Sequence, residues 1–355
     1  MKKFFVTILA PAMIAALLVL LVTGCGTKAE DTASPADPAA ESAESSEANP
    51  EDASPEIEPV TIRLGGLKGP TSMGMVKLLK DAGEGASFNT YEFTIAGSAD
   101  EVTPKLINGE LDIAAVPANL ASVLYNNTDG KIKLLAINTL GVLYIVENGE
   151  SISNLADLKG KTIYATGRGS TPEYVLSYLL EKNGIDPEND ITIEWKAEPT
   201  EVVSLMAGDK GSIAMMPQPY VTVAQGAIED LRIAADLTKE WDALGSGSAL
   251  ITGVLVVRSG FADEYPAQVA KFLEEYKAST EYVNANTTEA SVLIEEFDIV
   301  KAAVAEKALP YCNITFIDGA DMKAAMQGYL NVLYDRNPQS VGGSLPSGDF
   351  YYGAQ

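Results

Sequence analysis

Residues 60–82 read VTIRLGGLKGPTSMGMVKLLKDA, and this stretch decides the fold. Val60 to Gly65 form a strand that ends in glycine, Gly66 to Thr71 a turn, and Ser72 to Ala82 an amphipathic helix with Met75, Leu78 and Leu79 on one side. The same alternation continues outward. Strands are expected at Tyr91–Ala96, Leu111–Val116 and Lys133–Asn138, with helices at Ala99–Asn108 and Ala118–Tyr125 between them. Gly109 stands where a helix stops on a left-handed residue. A second unit starts near Ser151. A short helix, Leu155–Lys161, precedes strand Thr162–Thr166, and a turn leads into a helix opened by Pro172, a position that tolerates proline. Strands at Ile191–Trp195, Ser212–Met216 and Leu231–Ala234 alternate with helices at Thr200–Ala207 and Pro219–Gln225. Ile251–Val257 is a β-branched strand, after which helices are expected at Tyr265–Asn284, Thr288–Glu295, Val300–Leu309 and Ala320–Leu333. Strand alternating with helix, twice over, implies an α/β protein with two open, mostly parallel sheets and a cleft between two lobes.

The chain has 355 residues and a formal net charge of −24, with 25 Lys and Arg against 49 Asp and Glu. That balance excludes a phosphate-tracking, nucleic-acid-binding face. It also excludes broad attraction to anionic lipid. There is no histidine, which removes the commonest general base and the commonest metal ligand. Cys25 and Cys312 lie in such different contexts that a disulfide framework is not expected.

The N-terminus reads as an address. Lys2 and Lys3 precede an apolar run from Phe4 to Val22, which exits at Thr23-Gly24-Cys25. Pro11 and the Gly24-Cys25 exit argue against a spanning helix. Residues 1–24 are therefore expected to be a secretory signal peptide. From Thr27 to Pro59 the chain is rich in Ala, Ser, Pro, Glu and Asp, with Ile57 its only large aliphatic residue. It cannot bury enough apolar area to offset its ordering entropy, so a disordered acidic spacer over 25–59 is expected.

Ligands in open α/β sheets bind beyond the carboxyl ends of strands, where helix N-termini present amides and a positive dipole end. Four strand-to-helix turns are rich in small polar residues: Lys68-Gly69-Pro70-Thr71-Ser72, Pro117-Ala118-Asn119, Arg168-Gly169-Ser170-Thr171, and Gln218 with Tyr220 between and after two prolines. Thr139 adds a fifth element. Two turns belong to each unit, so donors converge from both sides on a ligand with acceptor oxygens, a carboxylate, sulfonate or other oxoanion. Lys68 and Arg168 add positive charge, and Tyr220 offers a ring to an apolar part of the ligand. Ser170 and Thr171 equally suit a helix cap, Arg168 a solvated turn, and Tyr220 the core. No turn carries a nucleotide signature, and no nucleophile has a base beside it. Cys312, among apolar neighbours, reads as a buried structural thiol.

Val22-Thr23-Gly24-Cys25 resembles a bacterial lipobox. That resemblance implies diacylglyceryl transfer to the Cys25 thiol and cleavage before it, and two acyl chains suffice for stable anchoring. Ile62–Pro70, Asn108–Ala114 and Leu155–Lys161, in that order, resemble the extracellular solute-binding proteins of ABC importers, in the nitrate/sulfonate/taurine-binding group that includes pyrimidine-precursor (thiamine biosynthesis-like) binders. The resemblance runs from Val60 to the C-terminus. It implies the type II periplasmic-binding-protein fold, two lobes with a hinge of two crossing strands. The first lobe comprises 60–146 and 251–355 and the second 147–250, the chain crossing near Val142–Val146 and returning near Gly253–Val257. Its ligand-contacting turns map onto Gly69–Ser72, Pro117–Asn119, Thr139, Gly169–Thr171 and Gln218. The expected protein is a monomer on the extracellular face of the cytoplasmic membrane. It is not an enzyme, holds no metal or cofactor, captures a small anionic solute and passes it to an ABC permease. The alternatives are a pyrimidine-precursor binder or enzyme on the same fold, and a sensory surface lipoprotein.

Overall fold

The computed structural model describes residues 57–245 and 247–354. The expected signal peptide, Cys25 and the spacer up to residue 56 lie outside the described residues. β1 (Thr61–Leu67) leads through α1 (Pro70–Met73) and α2 (Val76–Gly83) to β2 (Thr90–Ala96), α3 (Ala99–Ile107), β3 (Ile113–Pro117), α4 (Ala118–Asn127) and β4 (Ile132–Leu140). The chain then crosses into β5 (Leu143–Glu147), β6 (Thr162–Thr166), α5 (Thr171–Lys182), β7 (Thr192–Lys196), α6 (Pro199–Gly208), β8 (Ile213–Pro217), α7 (Tyr220–Ala227), β9 (Arg232–Asp236) and α8 (Leu237–Ala243). It returns as β10 (Ile251–Arg258), followed by α9 (Ser259–Glu264), α10 (Pro266–Ala285), α11 (Thr287–Glu296), α12 (Ala302–Ala308), β11 (Ile314–Ile317) and α13 (Gly319–Arg336).

The strands form two sheets, ordered β11-β4-β10-β3-β1-β2 and β7-β6-β8-β5-β9. Each sheet with its helices is a lobe, and the chain passes between them at Leu140–Leu143 and again before Ile251. The sheets are more mixed than expected. β1 runs parallel to β2 and β3, and β6 parallel to β7 and β8. The returning strand β10 is antiparallel to β3 and β4, and β5 is antiparallel to β8 and β9. The reason is topological. A strand that enters from the other lobe starts at the inner edge of its sheet, where the parallel strands end. β10, buried on both faces except at Thr252 and Arg258, becomes a central strand of the first sheet, as its β-branched run requires.

The helix expected over Ser72–Ala82 is broken at Gly74. Ser279 of α10 donates its Oγ hydrogen to Gly74 O (2.7 Å) and accepts from Leu78 N–H (3.0 Å). A foreign hydroxyl thus replaces one rung of the helical ladder, a recognised cause of kinking. A Cβ at Gly74 would stand 3.0 Å from the Tyr276 hydroxyl, so the break also needs glycine. α8, α9 and β11 were not expected from local pattern.

Each lobe holds one buried carboxylate pinned by arginine. Asp112 accepts from Arg63 Nε (2.9 Å) and Nη2 (2.6 Å), from the Arg63 backbone amide (3.0 Å) and from Arg258 Nη2 (2.6 Å). Glu147 accepts from Ser151 N–H (2.7 Å), Ile152 N–H (3.1 Å) and Arg232 Nη2 (2.5 Å). Burial opposes ionisation at both, but these donors outweigh it and hold both carboxyls below their usual range.

Two outcomes are expected. A carboxyl with a depressed folded-state pKa stabilises above its unfolded value and loses that contribution as pH falls through the folded one. Urea titrations should show stability declining as pH drops below about 4. Asp112→Asn should cost about 1.5–3 kcal/mol at neutral pH and make that acid decline shallower. In β10, a Cβ on Gly253 would overlap the Thr71 methyl and lie 2.8 Å from Asn138 Oδ1. Gly253→Ala should lower stability by about 1–3 kcal/mol in the same assay. Gly69→Ala, with open space and extended backbone, should change little.

Candidate functional site

The carboxyl ends of the parallel strands in the two sheets face each other. Three contacts establish this. Asn119, after β3, meets Thr171, after β6: Thr171 Oγ1 donates to Asn119 Oδ1 (3.2 Å), and Asn119 N–H donates to Thr171 Oγ1 (3.4 Å). Tyr220, after β8, donates its hydroxyl to Lys68 O, after β1 (3.4 Å). The Glu198 carboxylate, after β7, lies 3.0 Å from where a Cβ on Gly97, after β2, would sit. Of the expected residues, these contacts bring Asn119, Thr171, Tyr220 and the backbone of Lys68 together between the lobes.

At its centre the N-termini of α4 and α5 converge. Asn119 and Thr171 are fully buried. Asn119 Nδ2 donates to Ser340 O (2.9 Å), and Tyr329 of α13 donates its hydroxyl to Thr171 Oγ1 (3.4 Å). Pro117 closes β3 and is the N-cap of α4, with Ala118 fully buried behind it. Thr139 donates to Asn138 Oδ1 (3.0 Å), and Asn138 Nδ2 donates to Thr71 O (2.9 Å), so α1 is tied to the end of β4. Pro70 opens α1 after the extended Gly69. Ser72 is buried with its hydroxyl over Gly66 and without a hydrogen-bond partner.

Charge is arranged differently from the expectation. Lys68 does not aim its ammonium inward; Nζ pairs with Asp298 at 2.8 Å, and what Lys68 offers the second lobe is its carbonyl. Arg168 is exposed and makes no ion pair among the described residues. A four-carbon or guanidinium side chain on a turn minimises its solvation cost by facing water, and nothing here offsets that cost. Ser170 occupies the cap position of α5 but turns its hydroxyl to Gly167 O (2.8 Å), while Gly169 N–H donates to Glu173 (2.5 Å). Gln218 is buried; its N–H donates to Val142 O at the crossing (2.9 Å), and its Oε1 accepts from Thr222 Oγ1 (2.9 Å). Tyr220 packs with Met216, Val202 and Val221, and burial, then Glu198, raises its pKa. Asp112 and Glu147, the fully buried charged residues among those described, stand at the outer ends of the sheets. Around the Asn119–Thr171 contact the inner surface thus presents hydroxyls, amides and helix ends, with the Glu198 carboxylate on the same surface beside Gly97.

Tyr329, Ser340, Asn138 and Thr238 were missed. Thr238 packs on Gly141 at the crossing, with its Oγ1 buried and unpartnered. Tyr329 lies 158 positions from Thr171 on a helix whose pattern reads as ordinary core, so no local signal marks it. Among the described residues no group of His, Cys, Asp and Glu could hold a metal ion, and no helix is long and apolar enough to cross a membrane.

Residues 85–307 match the family described as ABC transporter, phosphonate, periplasmic substrate-binding protein, which is more than half of the chain. The chain belongs to this family. It is a family of periplasmic substrate-binding components of import systems. No curated protein matches the chain at a significant level. Solved structures show the same fold. An ABC transporter protein from Parabacteroides distasonis superposes with a TM-score of 0.68 at 24% identity, over 83% of this chain and 99% of that one. The alkanesulfonate-binding protein SsuA from Xanthomonas axonopodis pv. citri, bound to MOPS, gives 0.63 at 17% identity over 82% and 96%. The nitrate-binding protein NrtA from Synechocystis gives 0.59 at 14% over 82% and 84%. The type II periplasmic-binding-protein fold, with two lobes and two crossing strands, is therefore the fold of this binding protein.

Cys312 lies in the core with Met73, Val76, Leu309 and Ile314, and burial pushes its thiol up to about 12. In a Cys25→Ser form, it should stay unreactive toward a thiol-disulfide reagent at pH 8 and react at once in denaturant; reaction in the folded state would contradict this burial.

Proposed function

We propose that this protein is the solute-capturing component of an ABC importer, anchored outside the cell through an acylated Cys25. It takes up a small solute with an oxoanion head between its two lobes and hands it to a permease. The observation that carries this reading is the convergence of the α4 and α5 N-termini at the Asn119–Thr171 contact. Two helix ends supply positive potential and amide donors, and the buried Thr171 hydroxyl and Asn119 amide supply hydrogen bonds. Each of these groups is neutral, so an anion is held by dipoles and hydrogen bonds rather than by a counter-charge. Such donors need little reorganisation when the ligand arrives.

The crossings at Leu140–Leu143 and before Ile251 are the hinge of this reading, and residues 60–146 with 251–355 form one lobe, 147–250 the other. Periplasmic binding proteins are the standard case of hinge closure round a ligand. The solute enters between the strand ends and exchanges the direct Asn119–Thr171 bond for bonds to its own oxygens. The closed form presents both lobes to the permease together. The protein acts as a monomer, since one chain carries both walls of the site.

A ligand that binds the folded form alone stabilises it by about 2.7 kcal/mol at a hundredfold excess over Kd. In a thermal-shift panel of phosphonates, sulfonates, phosphate and nitrate, at least one compound should raise the melting temperature. Thr171→Val, which keeps shape and removes the hydroxyl, should weaken that compound about tenfold or more, as loss of a hydrogen bond to a charged group does. A panel without any shift, or a shift of the same size in Thr171→Val, would refute the assignment.

A further inference from the structure

The Asn119–Thr171 contact is oriented from behind by the last part of the chain. Asn119, Ser122 and Asn126 follow helical spacing along one face of α4. All three donate to the turn at Pro338–Val341: Asn119 Nδ2 to Ser340 O (2.9 Å), Ser122 Oγ to Val341 O (2.8 Å) and Asn126 Nδ2 to Val341 O (2.8 Å). Gly342 follows at φ 87°, with Val123 Cα 3.0 Å from where a Cβ would stand, so the turn is seated closely on α4. A carbonyl only accepts, so the bond to Ser340 O fixes which end of the Asn119 amide carries the hydrogens. Its Oδ1 therefore faces Thr171. Thr171 Oγ1 receives hydrogens from Tyr329 (3.4 Å) and from Asn119 N–H (3.4 Å), and turns its own toward Asn119 Oδ1 (3.2 Å).

Two donors and one acceptor thus satisfy each other across the lobes: the Thr171 hydroxyl, the Asn119 N–H and Asn119 Oδ1. Both residues are fully buried. A solute that separates the two helix ends has to replace each of these bonds. Two of the replacements are acceptor oxygens, which every oxoanion has. The third is a hydrogen. Without it, Asn119 Oδ1 is left buried and unpaired against an oxygen of the solute. A site built to pair with a hydrogen rejects the analogue that lacks it, here by roughly tenfold or more.

We infer that the captured head carries a hydrogen on one of its oxygens, and that Asn119 Oδ1, aimed by the Ser340 carbonyl, is the specificity-determining acceptor that reads it. The inference rests on the proposed capture of an oxoanion head between the lobes. It adds the class of head. Phosphonate and phosphate heads keep one hydrogen in mildly acidic media and meet the requirement. Sulfonate, sulfate and nitrate have none, and leave the acceptor unpaired.

The test uses the full-length chain produced unlipidated and two probes of the same shape, methylphosphonate and methanesulfonate, with phosphate and sulfate as a second pair. By calorimetry at about pH 5, where a phosphate-type head retains one hydrogen, methylphosphonate should bind roughly tenfold tighter than methanesulfonate or better. Raising the pH to about 8.5 removes that hydrogen, so methylphosphonate should weaken while methanesulfonate stays level. On the elements that meet here, Tyr329 is the titratable side chain bonded to the pair, and Arg168 and Glu173 stand at the start of α5. The methanesulfonate series, run in parallel, reports whatever they contribute. Asn119→Leu should erase the preference between the probes, whereas Thr171→Val should weaken both alike, since both need its hydrogen. Melting temperatures check that the variants fold, and the pH series on the unaltered chain decides the matter if Asn119→Leu does not. Equal binding of the two probes, a preference for methanesulfonate, or methylphosphonate affinity that holds as pH rises overturns the inference and leaves the oxoanion reading standing. Silence from all four probes overturns the oxoanion reading and this inference with it.

Discussion

The structure depends on one constraint: the chain must pass twice between two sheets and still leave each sheet closed against water. It meets this by putting the strands that cross at the centre rather than the edge. β10 pairs with β3 on one side and β4 on the other, and β5 sits between β8 and β9. Crowding at the crossings sets the local residue types. Gly253 lies under the Thr71 methyl, and Gly141 lies under Thr238. The same arrangement turns the ends of the parallel strands toward each other, so the Asn119–Thr171 contact follows from the way the chain crosses.

One core cluster runs through both lobes on the crossing side. It includes Leu134 and Val254 of the first sheet with Ile145 and Ile163 of the second. Trp241 of α8 lies 5.0 Å from the Tyr178 ring of α5 and 5.7 Å from the Tyr329 ring of α13, measured between centroids. The aromatic stack ties a helix of the first lobe to two of the second. The lobes thus share apolar packing near the crossings, and α7 of the second lobe also meets α12 of the first.

Much of this was legible because it is local. The run at Ile251–Val257 announces a strand buried on both faces, and small polar residues after strands mark the turns that meet between the lobes. Other features depend on residues far apart. The break at Gly74 needs Ser279, 205 positions away. Lys68 sits in the expected turn, but the direction of its ammonium is fixed by Asp298, 230 positions away. Tyr329 and Ser340 reach Thr171 and Asn119 from the C-terminal part of the chain, where pattern shows only helix and loop. A turn's composition tells which chemistry is available there; which way each side chain faces is decided by partners that periodicity does not register. The parallel character of the sheets was over-read for the same reason, since strand direction depends on where the chain enters.

The wall between the lobes has a consequence for the conditions under which such a protein operates. Outside the cell, acidity and salt change with the surroundings. The groups that converge there, Asn119, Thr171, Thr139 and Gln218, do not titrate, and the chain has no histidine. Tyr220, also at this surface, has its pKa raised, away from neutrality. The two fully buried carboxylates, Asp112 and Glu147, are held at the far ends of the sheets, each clamped by arginine. On the proposed reading, the Asn119–Thr171 contact itself carries no titrating group, so a change of occupancy between mildly acidic and mildly alkaline media points first to the ionisation of the cargo.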